Sequence, residues 1–142
     1  MSLERAVAAL GLGLATALGA AAVAGAVGRS AEPIVVQIEI RYSHFSPDTI
    51  SVPAGRPITF VVVNNDPIDH EWIVGDAALH ERHRTGTEPV HNARPTEVSI
   101  PALSQKRTTV TFAAPGSLQF ICHLPGHEAY GMVGTVTITT GG

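Results

Sequence analysis

The chain has 142 residues, with twelve Asp and Glu against nine Lys and Arg, and a formal net charge of −3. That length suits one domain plus a short extra segment and is enough to bury a core. No cluster or stripe of Lys and Arg occurs, which argues against a nucleic-acid partner.

The first segment is uncharged. Residues 6–28, AVAALGLGLATALGAAAVAGAVG, are mostly Ala, Gly and Leu and follow Arg5. Two readings fit residues 1–30: a secretory signal peptide, with AGA at 24–26 as a cleavage site, or an uncleaved membrane anchor. Either places the domain at 31–142 outside the cytoplasm, in the periplasm or another extracytoplasmic space.

From residue 34 onward β-branched residues dominate, and the pattern switches to period two. Strands are predicted at 35–42, 48–52, 57–65, 70–74, 96–100, 107–112, 117–122 and 134–140. PITFVVVNN (57–65) is a continuous apolar run of the kind that suits a strand buried on both faces. Short strands separated by turn signals indicate an all-β sandwich or barrel. Residues 75–95 depart from this pattern: they are polar and carry His80, His83 and His91. They read as a long connection with one short helical turn near DAALHERH.

The chemistry concentrates in FICHLPGHEAYGM (120–132), which holds the chain's one cysteine, Cys122. A lone cysteine in an exported protein forms no internal disulfide, so its thiol must be buried or bound. Strand alternation puts Leu118, Phe120 and Cys122 on one face and Ile121 and His123 on the other. Pro125 and Gly126 then turn the chain, so a loop carries His127 and Met132 back toward Cys122. A thiolate, an imidazole and a thioether around one ion form a copper-type donor set, and trigonal His₂Cys with a long axial Met serves electron transfer. The second histidine must come from elsewhere. NNDPIDHEW offers His70 at the start of a strand, with His44 and His91 as competitors.

These residues resemble a known family. A histidine after NND, then Cys-x4-His-x4-Met near the C-terminus, together with FSPDTISVPAGRPITFVVVNN and GMVGTVTIT, is similar to the cupredoxins, the small blue copper proteins. The resemblance covers most of residues 35–140. It implies an eight-stranded Greek-key sandwich with one copper per chain, cycling between Cu(I) and Cu(II). It implies the ligands His70, Cys122, His127 and Met132, and Asn65 hydrogen-bonding across the two copper loops. It also implies that His127 shows its ring edge at the surface, amid Leu124, Pro125, Ala129 and Tyr130, where redox partner proteins dock on a monomer.

The same loop resembles the last domain of multicopper oxidases, in which histidines flank the cysteine on both sides and bind a trinuclear cluster. Here Ile121 stands before Cys122, and no His-x-His pair is present to complete such a cluster. The chain therefore reads as an electron carrier and not an enzyme. Two alternatives stand beside it: an extracytoplasmic copper carrier or resistance protein that delivers metal, and an electron-feeding subunit of an oxidase or reductase with His123 as its contact. His123 is otherwise expected to face solvent or the outer surface of the sheet.

Overall fold

The computed structural model describes residues 32–88 and 92–141. The segment read as leader or anchor, and His91, lie outside the described residues. The described chain forms β1 (Ile34–Arg41), β2 (His44–Ser46), β3 (Thr49–Pro53), β4 (Pro57–Asn64), β5 (His70–Gly75), α1 (Ala77–Arg84), β6 (Glu97–Ile100), β7 (Gln105–Thr111), β8 (Gly116–Ile121) and β9 (Val133–Thr139).

The strands make two mixed sheets. One has the order β2-β1-β4-β7 and the other β3-β9-β8-β5-β6. Pairing is antiparallel except for β1 with β4 and β3 with β9, which are parallel. The period-two reading explains β1, where Ile38 and Ile40 are buried while Glu39 and Arg41 face water. β4 departs from that alternation: Ile58 to Val62 are all buried, Thr59 among them, because the strand is central in its sheet.

The facing sheets are joined by aromatic pairs. Phe60 on β4 meets Trp72 on β5 at 4.7 Å between ring centroids, tilted by 43°. Phe45 on β2 meets Phe120 on β8 edge-on at 5.1 Å. Each such side chain removed from water stabilises the sandwich by about 1.5–3 kcal/mol. Gly134 on β9 makes the second contact possible, because a Cβ there would collide with the Phe120 ring.

Two elements differ from the sequence expectation. The described residues hold nine strands where eight were predicted. The extra one, β2, is three residues long and folds back on β1 after a turn in which Tyr42 and Ser43 both take φ of 55°. The second difference is α1, a full eight-residue helix where one turn was expected. Asp76 caps its N-terminus by accepting from Leu79 N–H at 2.8 Å, and Arg82, His83 and Arg84 occupy its last turn, where cations suit the helix dipole. The helix carries no apolar stripe, and two of the residues it buries are His80 and His83.

Candidate metal centre

His70 is the first residue of β5, and the loop before it is fixed by side-chain hydrogen bonds. Asn64, buried at the end of β4, shares its amide N–H groups among the carbonyls of Ile68 (2.7 Å), Pro101 (3.0 Å) and Ile100 (3.3 Å). Its Oδ1 accepts from Asp66 N–H at 2.9 Å. Asp69 accepts from Ala102 N–H at 2.9 Å. The residue tying the loops together is therefore Asn64. Asn65, expected in that role from the resemblance, is exposed and makes only a backbone bond to Ile40.

Asp66 aims the His70 ring. Its carboxylate accepts from the N–H groups of Tyr42 (2.7 Å) and Ser43 (2.8 Å) and from His70 Nε2–H at 3.0 Å. Burial opposes the Asp66 charge, but these donors outweigh it and hold the carboxyl below its ordinary range. Because a carboxylate only accepts, Nε2 carries the proton and Nδ1 of His70 presents a lone pair. Burial is the largest influence on His70 itself and, with the nearby His127, lowers its pKa, so the ring is uncharged at neutral pH.

Cys122 and His127 arrive from the other side. Cys122 follows β8 directly, and its N–H donates to Met132 carbonyl at 3.2 Å, which continues the β8–β9 ladder by one rung. Between these two residues the loop turns twice through the left-handed region, at Gly126 (φ 85°) and Gly131 (φ 92°), where glycine carries no steric cost. Met132 N–H donates to His127 carbonyl at 3.1 Å. Met132 is wholly buried in the same core cluster as Cys122.

The donors converge. His127 Nδ1 lies 3.2 Å from Cys122 Sγ and 3.1 Å from His70 Nδ1, and the three donor atoms all fall within 4.8 Å of one another. His70 and Cys122 are buried and His127 is partly exposed. His44 stays outside the group, an exposed ring whose Nδ1–H donates to Tyr42 carbonyl at 2.7 Å. Burial pushes the Cys122 thiol up, against the N–H bonds it receives from Glu71 (3.3 Å) and Leu124. Such a thiol keeps its proton until a cation replaces it. A buried sulfur, two imidazole nitrogens and an adjacent buried methionine fit one copper ion per chain, since this set satisfies both oxidation states.

His123 differs from expectation. Its side chain is 5 % exposed, because α1 covers the face of the sheet on which it lies. His80 Nδ1 approaches His123 Nε2 at 2.9 Å, and the His83 ring stacks on His123 at 5.3 Å and 21°. Burial first, then the neighbouring His80, lowers the His123 pKa to about 4. Glu128, next to His127, pairs with Arg84 of α1 at 2.7 Å.

A sandwich with a cysteine and two histidines gathered at one end is the architecture of a small copper-binding domain. The sequence matches the cupredoxin-like domain family over residues 9–138, and the chain belongs to that family. It is 33% identical over 97 residues to the copper-resistant cuproprotein CopI of Rubrivivax gelatinosus, covering 66% of this chain and 59% of that protein. It is 29% identical over 110 residues to auracyanin-B of Chloroflexus aurantiacus, covering 67% of this chain and 47% of that one. The chain thus spans about half the length of these relatives. The fold is also that of the reduced auracyanin of Roseiflexus castenholzii, with a TM-score of 0.63 and 22% identity over 74% of this chain and 96% of the other.

Proposed function

We infer that the chain is an exported, monomeric type 1 copper protein that carries single electrons, with copper held by His70, Cys122 and His127 and Met132 as axial ligand. The observation that carries this reading is the convergence of three donor atoms within 4.8 Å at the end of a rigid sandwich. Copper in such a set exchanges one electron between Cu(II) and Cu(I). The residues themselves supply the rigidity. Asp66 holds His70 in one tautomer, Asn64 locks the loop that bears it, and the Cys122–Met132 bond closes the other loop. Little rearrangement then accompanies a change of charge at the centre. Glu71 N–H donates to the cysteine sulfur, stabilises its negative charge and so tunes the potential.

His127 is the exit for the electron. It is partly exposed, with Pro125, Ala129 and Tyr130 exposed around it. An apolar patch of this size suits brief docking of a redox partner, because small interfaces release quickly.

A second reading follows from the likeness to CopI: a copper-resistance protein that sequesters or delivers metal. One experiment separates the two. The full chain is given one equivalent of Cu(II), and its visible spectrum is recorded before and after reduction. Intense thiolate-to-copper absorption that is lost on reduction, returns on reoxidation and is missing in Cys122→Ser supports the carrier. A chain that takes only Cu(I) and yields it to a competing chelator without a coloured Cu(II) state favours delivery.

A further inference from the structure

His80, His83 and His123 form a second buried histidine cluster, separate from the His70–Cys122–His127 group. His80 is fully buried and His123 nearly so, although neither is an apolar residue. The hydrogen bonds fix which nitrogens carry protons. His80 Nε2–H donates to Gln119 carbonyl at 3.2 Å, so His80 Nδ1 holds a lone pair. His83 Nδ1–H donates to Leu79 carbonyl at 3.0 Å, so His83 Nε2 is the lone-pair nitrogen. His123 Nδ1 faces the Glu128 carboxylate at 3.5 Å, while its Nε2 lies 2.9 Å from His80 Nδ1.

Each ring thus has one nitrogen on a backbone carbonyl or a carboxylate and the other turned away from it. His80 and His83 are held as metal-ligating histidines are, the far N–H on an oxygen that sets tautomer and orientation. The spacing agrees. Two nitrogens bound tetrahedrally at about 2.0–2.1 Å stand about 3.3 Å apart, against 2.9 Å between His80 and His123 and 3.1 Å between His70 and His127. A cleft bordered by His83, Arg84, His123, Leu124, Glu128 and Ala129 opens to solvent beside the cluster and gives an ion a way in.

We propose that His80, His123 and His83 form a second metal site, selective for an imidazole-preferring divalent ion such as Zn²⁺ or Cu²⁺, with Glu128 as the carboxylate that orients His123. On binding, His123 moves its proton from Nε2 to Nδ1, where Glu128 accepts it, and the ion takes the lone pairs of His80 Nδ1, His123 Nε2 and His83 Nε2. His83, itself buried, joins by a turn of its side chain, since His80 and His123 already face each other. The site lacks a thiolate and differs in ligand softness from the Cys122 centre.

The test is equilibrium dialysis of the full chain against Zn²⁺ with metal analysis. Wild type is expected to hold two zinc ions, Cys122→Ser with His70→Gly one, and His80→Gln with His83→Gln one. Glu128→Gln, which also loosens the Arg84 pairing, is expected to weaken the second ion by about 10- to 100-fold, whereas Arg84→Gln, which loosens that pairing alone, is expected to leave it bound. Nitrogen-15 NMR of wild type guards against misfolded variants: the second equivalent must shift His80 Nδ1 and His123 Nε2. One ion per wild-type chain, or a second ion that survives His80→Gln with His83→Gln and leaves both rings unshifted, overturns the site. Zinc is silent to electron transfer, so this outcome is independent of whether the Cys122 centre carries electrons.

Discussion

The His70 ring is held from behind by Asp66, Nε2–H to Oδ2 at 3.0 Å, while the same carboxylate ties down the Tyr42 and Ser43 N–H groups. One side chain therefore sets the tautomer of His70 and the path of the β1–β2 turn. Asp66→Ala is expected to weaken copper binding by about 10- to 100-fold and, by leaving those amides without an acceptor, to destabilise the chain by about 2 kcal/mol. Chelator competition and urea unfolding measure the two effects. Unchanged affinity would show that the ring keeps its orientation without the carboxylate.

Asn64 joins the residue 65–69 loop to residues 100–101 through one buried amide. Asn64→Ala strands buried backbone carbonyls and is expected to cost about 3 kcal/mol. Asn65→Ala, at an exposed position, is expected to stay within about 0.5 kcal/mol of wild type. Equal losses in denaturant unfolding would contradict the assignment of the brace to Asn64.

Gly134 admits the Phe120 ring over β9, and a Cβ there would also stand 2.6 Å from Asp48 carbonyl. Gly134→Ala is expected to destabilise by about 3 kcal/mol through this overpacking. Gly116→Ala, where a Cβ would meet nothing within 4 Å, is its control and is expected to be near neutral. Thermal melts of the two variants give the comparison.

Glu88 is buried between two guanidinium groups, Arg82 at 2.7 Å and Arg94 at 3.2 Å. The Arg82 pairing is the main reason its carboxyl lies below the ordinary 4.5. The unfolded chain then takes up this proton at higher pH than the folded one. The stabilisation is complete above pH 4.5 and is lost as pH falls through the lower folded value. Glu88→Gln is expected to be less stable at neutral pH and to lose less of its stability on acidification. Parallel acid-dependence curves for variant and wild type would rule this out.

Most of the sandwich could be read from the sequence because each strand carries its burial in its alternation. Ile38 and Ile40 against Glu39 and Arg41 is a local signal that requires no knowledge of the partner strand. The loop that brings Cys122, His127 and Met132 together was legible for the same reason, since strand, turn and donor side chains are contiguous. Helix α1 was not: burial of its histidines depends on hydrogen bonds to Gln119, Leu79 and His123, which no periodicity encodes. That hidden helix is also why His123 was placed in solvent. Asn64 was within reach, as it shares parity with the buried Phe60 and Val62. Asp66 required the three-dimensional return of the Tyr42–Ser43 turn, 23 and 24 residues away in the chain.

The bond from Cys122 N–H to Met132 carbonyl seals the base of the ligand loop with a rung of the same ladder that pairs β8 with β9. Above that rung, residues 123–131 form an insert in the hairpin that α1 braces through His123 and Glu128, and below it the sheet register is already decided. Loop closure grows only slowly more costly with length. Changes of length at its exposed residues 129–130, away from the His123 and Glu128 contacts, therefore leave the strands in register. Its length is an adjustable dial on the geometry around the cysteine, turned separately from the stability of the sandwich beneath.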